Sequence, residues 1–217
     1  MDLEQARFNM VEQQIRPWDV LDQDILDLLL KLPREAFMPE AVKSLAFVDT
    51  EVPIGYGQVA LPPRVQARWV QELDLQASDK VLQIGTGTGY MSALLASLSD
   101  HVYAVEIVPE LAKITQTNLV AQGIHNVTVE VGDGARGWEK HRFYDAIVLT
   151  GSLPVLPDTF EESLAVGGRL LAVVGDAPAM KLQLTVCHAP GVFERTTVLE
   201  TTLPVLKNAK QPNRFQL

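Results

Sequence analysis

The stretch Val81-Leu82-Gln83-Ile84-Gly85-Thr86-Gly87-Thr88-Gly89-Tyr90 limits what this chain can fold into more than any other. Its first half is a short apolar run suited to a buried parallel strand, and it breaks into alternate glycines before helix-forming residues resume. Glycine admits positive φ and removes the Cβ atoms that would hold a ligand away from the main chain. The helix that follows aims its free N–H groups at whatever sits there. On its own the turn is also compatible with a tight, ligand-free strand-to-helix connection.

Three further segments give it a context. His101-Val102-Tyr103-Ala104-Val105-Glu106 reads as a second strand ending in a carboxylate. The spacing from Gly85 to Glu106 is about 20 residues, at which nucleotide-binding folds place an acid on a ribose. A third strand ends in Gly132-Asp133-Gly134 and a fourth in Thr150-Gly151. Ligands of open parallel sheets lie beyond the carboxyl ends of the strands, where the chain order reverses, so these ends define one crevice. A dinucleotide fingerprint read from Gly85 would want a small residue at position 90 for helix–strand packing, and Tyr90 argues against NAD.

Composition narrows the function classes. At 217 residues the chain can bury one substantial core. No apolar stretch approaches the ~20 residues that span a bilayer, and the start, Met1-Asp2-Leu3-Glu4-Gln5, lacks a secretory pattern, so the expected setting is cytoplasmic, without a membrane. A formal charge of -9 would repel a phosphate backbone, and nucleic acid is not expected as a partner. Cys187 is the single cysteine, which excludes an intrachain disulfide, and no metal site is expected.

Taken in order, residues 3–15 have near-helical apolar spacing, and Asp22 can cap a second helix over 23–31 that Pro33 stops. Residues 47–63, with their prolines and glycines, are expected to be a functional loop, followed by a helix over 64–73. Further helices are expected over 90–98, from Pro109 to Gly123, and over 157–164. Strands are expected over 169–174, 182–188 and 196–203, the last two antiparallel, with 208–217 as a tail. The fold expected is α/β: a doubly wound, mostly parallel seven-stranded sheet with antiparallel C-terminal strands and an N-terminal helical extension. Residues 1–75 form the cap and acceptor loop, and 76–217 the Rossmann-like part of one compact unit.

The series of strand ends resembles class I S-adenosylmethionine-dependent methyltransferases. Met10-Val11-Glu12-Gln13-Gln14-Ile15, Leu32-Pro33-Arg34-Glu35-Ala36-Phe37-Met38-Pro39, Pro53-Ile54-Gly55-Tyr56-Gly57-Gln58, the glycine turn, and Gly132-Asp133-Gly134 with Gly137-Trp138 narrow the resemblance to protein-L-isoaspartate O-methyltransferases. That resemblance implies S-adenosyl-L-methionine as cofactor. It implies cofactor contacts at Gln83, Gly85, Thr86, Gly87, Thr88, Gly89, Glu106, Ile107, Asp133, Gly134 and Thr150. It also implies an acceptor pocket built from Pro53, Ile54, Gly57, Gln58, Val59 and Leu61, taking a peptide or protein that carries isoaspartate.

Two departures bear on that implication. The family continues its loop Thr-Ile-Ser-Gln-Pro, whereas this chain has Val59-Ala60-Leu61-Pro62-Pro63, with Leu61 at the position of a substrate-side Ser. Gln83 stands where the family has Glu, keeping a carbonyl acceptor but losing the charge. No catalytic side chain is singled out. A carboxylate acceptor is already ionised at neutral pH and needs no general base. A different acceptor, or binding of the cofactor without turnover, stays open at this point.

Overall fold

In the computed structural model, which describes residues 2–212, the strands expected from sequence form one seven-stranded sheet. The N-terminal cap holds α1 (Leu3–Met10) and α2 (Gln23–Lys31). A two-stranded hairpin, β1 (Val52–Gly55) and β2 (Gln58–Ala60), then leads into α3 (Pro63–Leu73). The sheet is built from β3 (Lys80–Ile84), β4 (His101–Glu106), β5 (Val127–Val131), β6 (Tyr144–Leu153), β7 (Leu164–Val174), β8 (Lys181–Ala189) and β9 (Val192–Glu200). Between strands run α4 (Tyr90–Ala96), α5 (Pro109–Ala121) and α6 (Asp158–Glu162).

The strand order is β5-β4-β3-β6-β7-β8-β9. β3 pairs in parallel with β4 on one side and β6 on the other, so the order reverses at the glycine turn. β8 and β9 close the sheet antiparallel. Alternation along the strands separates two apolar layers: Val81, Ala146, Val148, Leu171 and Val173 face one, and Leu82, Ile147, Leu149, Leu170 and Ala172 the other. Residues of α1 to α4 bury themselves in the first layer with those strands, so cap and sheet share a core. Phe160 of α6 covers the second. Each fully buried Val, Leu, Ile or Phe among these contributes about 1.5–3 kcal/mol.

Several boundaries differ from the sequence reading. The helix expected over 3–15 widens into a π turn at Val11–Ile15, which sets Met10, Val11 and Ile15 all at 0% exposure. Residues 47–63 are not wholly loop, because Val52↔Ala60 pairing makes a hairpin whose turn places Tyr56 at φ 55 and Gly57 at φ 69. The helix over 157–164 stops at Glu162 and β7 begins at Leu164, because Tyr144 N donates to Ser163 O at 2.9 Å and pulls this segment into register with β6. The last strand runs Val192–Glu200 instead of 196–203, since the tight turn after Ala189 fixes its pairing with β8. Residues 213–217 of the expected tail lie outside the described residues. Among those described, no helix is long and apolar enough to cross a membrane.

Candidate functional site

The glycine turn leaves β3 with Gly85, Gly87 and Gly89 at φ 86, 57 and 97. Side chains from four elements hold its shape. From β4, Glu106 Oε2 accepts from Thr86 N at 2.8 Å, Gly87 N at 3.1 Å and Thr86 Oγ1 at 3.1 Å. Its Oε1 accepts from Val108 N at 3.0 Å. From α5, the buried Thr115 hydroxyl lies 2.9 Å from Thr86 Oγ1 and 3.1 Å from Gly87 O. From β6, Thr150 Oγ1 donates toward Gly85 O at 2.7 Å, and a Cβ on Gly85 would collide with that hydroxyl. From β3 itself, Gln83 Nε2 donates to Gly85 O at 2.7 Å while its Oε1 accepts from Ser92 Oγ at 2.6 Å.

These bonds give physical content to two sequence-predicted residues. Gln83 is wholly buried, and an amide can donate to Gly85 O where a carboxylate cannot, so its local role is to fasten the turn to α4. Glu106 is 4% exposed, and one of its oxygens is fully engaged by the turn. The capacity left for a ligand is on Oε1, which carries a single protein donor.

Gly132 N donates to Glu106 O at 2.9 Å, which sets Asp133 beside Glu106 at adjacent strand ends. Asp133 Oδ1 accepts from Ala135 N at 3.1 Å in an Asx turn, and Oδ2 accepts from Asn208 Nδ2 at 2.9 Å. Asn208 belongs to a strap that sequence reasoning missed. Val205 bridges Ser152 of β6, with Ser152 N bonded to Pro204 O at 2.9 Å and Leu206 N to Ser152 O at 3.0 Å. Leu206 packs over Gly151, where a Cβ would approach it to 2.7 Å.

The β1–β2 hairpin closes the other side. Ile54, 4% exposed, reaches over the turn, its Cδ1 3.2 Å from where a Cβ on Gly87 would lie. Pro53 points outward, because side chains alternate along β1 and its neighbours Val52 and Ile54 are the buried ones. Leu61 is buried in the core of the cap. Its carbonyl accepts from Arg34 NH2 at 2.7 Å. Arg34, 1% exposed, also donates to Ala46 O at 2.8 Å and to Gln66 Oε1. The guanidinium stacks on the ring of Tyr90, 4.9 Å from its centroid. Burial draws the Arg34 pKa down to about 10 and pushes that of Tyr90 up to about 12.

Every sequence-predicted site residue except Gly89 and Pro53 lines a single cleft at the carboxyl ends of β3 to β6. Sequence reasoning did not place Arg34, Gln66 or the strap residues Pro204 to Lys207 there, and they line it too. Whether the residues suit an adenosyl ligand can be tested on the structure itself. Gly134 lines the cleft but is buried, and a Cβ on it would come within 2.7 Å of Ile84, so packing against β3 requires glycine there. Acceptors for sugar and base hydrogens, Glu106 and Asp133, stand side by side. The set fits.

Known proteins resemble this chain in sequence and in fold. The sequence pattern of the family described as protein-L-isoaspartate(D-aspartate) O-methyltransferase matches residues 5–208. A protein-L-isoaspartate O-methyltransferase of Geobacter metallireducens is 42% identical over 176 residues, covering 81% of this chain and 82% of that protein. One of Gloeobacter violaceus is 37% identical over 203 residues, covering 93% of this chain and 99% of its own. A solved protein-L-isoaspartate O-methyltransferase superposes with a TM-score of 0.80 at 24% identity, over 92% of this chain and 65% of that one. A beta-aspartate methyltransferase (PCMT) of Plasmodium falciparum, solved with S-adenosyl-L-homocysteine, gives 0.77 at 19% identity, over 93% and 98%. At these identities the two structures speak to the fold.

Proposed function

The chain belongs to the protein-L-isoaspartate(D-aspartate) O-methyltransferase family and is an S-adenosylmethionine-dependent methyltransferase, and from that premise we propose how its own residues divide the work. The glycine turn, braced by Glu106, Thr115, Thr150 and Gln83, holds the methionyl end of the donor. The open side of Glu106 Oε1 receives the ribose. Asp133 and Gly134, beneath the strap, receive the adenine. Ile54, Gly57, Gln58, Val59 and Leu61 wall the acceptor, an isoaspartyl side-chain carboxylate in a damaged protein.

The donor, when bound, supplies an electrophilic methyl group on a sulfonium. What the chain must add is alignment of the acceptor oxygen with the S–CH3 bond and exclusion of water. Both carboxylates that line the cleft are held by main-chain N–H groups, so neither is placed as a proton acceptor. An acceptor that is already anionic suits such a site. The buried free thiol of Cys187 suits a reducing, cytoplasmic setting.

The observation that carries this reading is the convergence of turn, two acids and hairpin on one cleft at the topological switch. Transfer of a labelled methyl group from S-adenosylmethionine to an isoaspartyl peptide tests it. Counts above a Gly87→Asp control are expected, and none above that control would reject the acceptor. Stabilisation by NAD, and not by S-adenosylhomocysteine, in a thermal-shift comparison would reject the cofactor.

A further inference from the structure

Arg34 is a buried cation whose charge no described residue neutralises. Its hydrogen-bond partners are Ala46 O, Leu61 O and the Gln66 amide, all uncharged. The nearest acid in sequence, Glu35, is paired with Arg7. Burying a lone charge is costly, and proteins rarely keep one unless something meets it. A guanidinium has five N–H donors, so these three bonds leave two for another acceptor. The group lies on the cleft wall beside Leu61, at the hairpin end, whereas Glu106 and Asp133 occupy the strand ends. The other cation along the cleft, Lys207, is exposed and therefore solvated.

We propose that Arg34 is the anchor for the acceptor carboxylate, its two remaining N–H donors gripping one carboxylate oxygen while the other faces the methyl group. This rests on the methyl-transfer reading above and adds to it the source of acceptor selectivity. With Leu61 in place of a hydroxyl side chain, this wall offers a carboxylate no side-chain donor at that position, and the guanidinium takes over that task. The step balances: an acceptor oxygen lone pair forms the O–CH3 bond, the C–S bond pair goes to sulfur, and anion plus sulfonium become ester plus thioether. The ester is neutral, so its attraction to Arg34 falls as the product forms, which favours release.

Arg34→Met also cuts its three bonds, to Ala46 in the cap, Leu61 after the hairpin and Gln66 of α3, and so confounds folding with charge. Gln66→Glu does not: it is isosteric, lies in the first turns of α3 where a carboxylate is favoured, and gives Arg34 an internal counter-ion. Calorimetric titration of the S-adenosylhomocysteine complex with an isoaspartyl peptide, and with its carboxamide analogue, reads the effect without turnover. The wild type is expected to prefer the carboxylate by about tenfold or more, and Gln66→Glu to lose that preference with S-adenosylhomocysteine affinity unchanged.

Preference retained in Gln66→Glu, or absent from the wild type, overturns the assignment and leaves Arg34 a structural tie. Weakened S-adenosylhomocysteine binding in the variant also overturns it, because the anion met would be the donor's own methionyl carboxylate. Methyl transfer to the same peptide is scored separately. Its failure with the carboxylate preference intact would remove the enzymatic reading and leave the anchor in place.

Discussion

Glu106→Gln separates the two tasks of the β4 carboxylate. Glutamine has the same shape but a single acceptor oxygen. If that oxygen takes the place of Oε2 it keeps Thr86 N, Gly87 N and Thr86 Oγ1, and the NH2 group is pressed against Val108 N–H, 3.0 Å away. The flipped amide would set a donor against the two main-chain N–H groups of Thr86 and Gly87, so the first arrangement is the better. One buried N–H then loses its acceptor, at about 1–3 kcal/mol. The three retained bonds lose charge assistance, about 0.5 kcal/mol each. Relief from burying a charge works the other way. The balance is a loss of about 2–4 kcal/mol, or a fall in Tm of ~5–15 °C for a chain of this size. Urea unfolding of the ligand-free protein measures it, with S-adenosylhomocysteine titration alongside. A variant within about 0.5 kcal/mol of the wild type that nevertheless binds ligand poorly would refute the bracing role.

Gly85→Ala should destabilise by about 2–4 kcal/mol, since it adds a Cβ at φ 86 that meets Thr150 Oγ1, and Thr150→Ala should recover the steric part but not the backbone strain. A double-mutant cycle by urea unfolding that finds no coupling would contradict this. Leu61→Ser with Val59→Thr should raise isoaspartyl methylation if the polar loop matters, yet cost about 2–4 kcal/mol because Leu61 is core; activity per folded molecule is the number to compare. Asn208→Ala should raise the KM for the donor several-fold with kcat little changed, because it frees Asp133 Oδ2 from the strap; an unchanged KM would deny the strap a part in binding. Burial alone would push Glu130 up, but bonds from Lys140, Trp138 and His141 outweigh it and hold its pKa below the ordinary value. A depressed carboxylate contributes stability above its unfolded pKa, and that contribution is lost as pH falls through the folded one. Urea midpoints should therefore drop below about pH 4.5 in the wild type and less steeply in Glu130→Gln.

The parts legible in the sequence are those whose cause is local. The apolar run of β3, the glycines after it and Pro109 at the start of α5 each constrain their own backbone, and the structure has strand, turn and helix there. The hairpin was not legible as strands, because β1 carries Pro53 and Gly55 and the turn depends on Tyr56 accepting φ 55, which few large residues do. Alternation without an anchor explains the β9 shift. Thr196, Thr197 and Val198 fit either register until the turn after Ala189 fixes the pairing, and a slip of that kind is invisible in one strand read alone.

The same division runs through the cleft. Glu106 is legible because it ends a strand about 20 residues after the first glycine of the turn, and Asp133 because it sits between two glycines at the end of another, signals carried by a fixed spacing or by adjacent residues. Arg34 and the strap carry no such signal. Arg34 sits in a short 3-10 turn among apolar residues, and only the packing of α3 brings Gln66 and Leu61 to it. Asn208 reaches Asp133 because Val205 adds a bridge to the end of β6, a pairing between segments far apart in the chain. Both late additions close the cleft from outside the strand–helix repeat, one from the N-terminal cap and one from the C-terminal strap. The repeat fixes where a nucleoside can lie, and these two segments, which lie outside that repeat, are where this chain can set what shares the cleft with it.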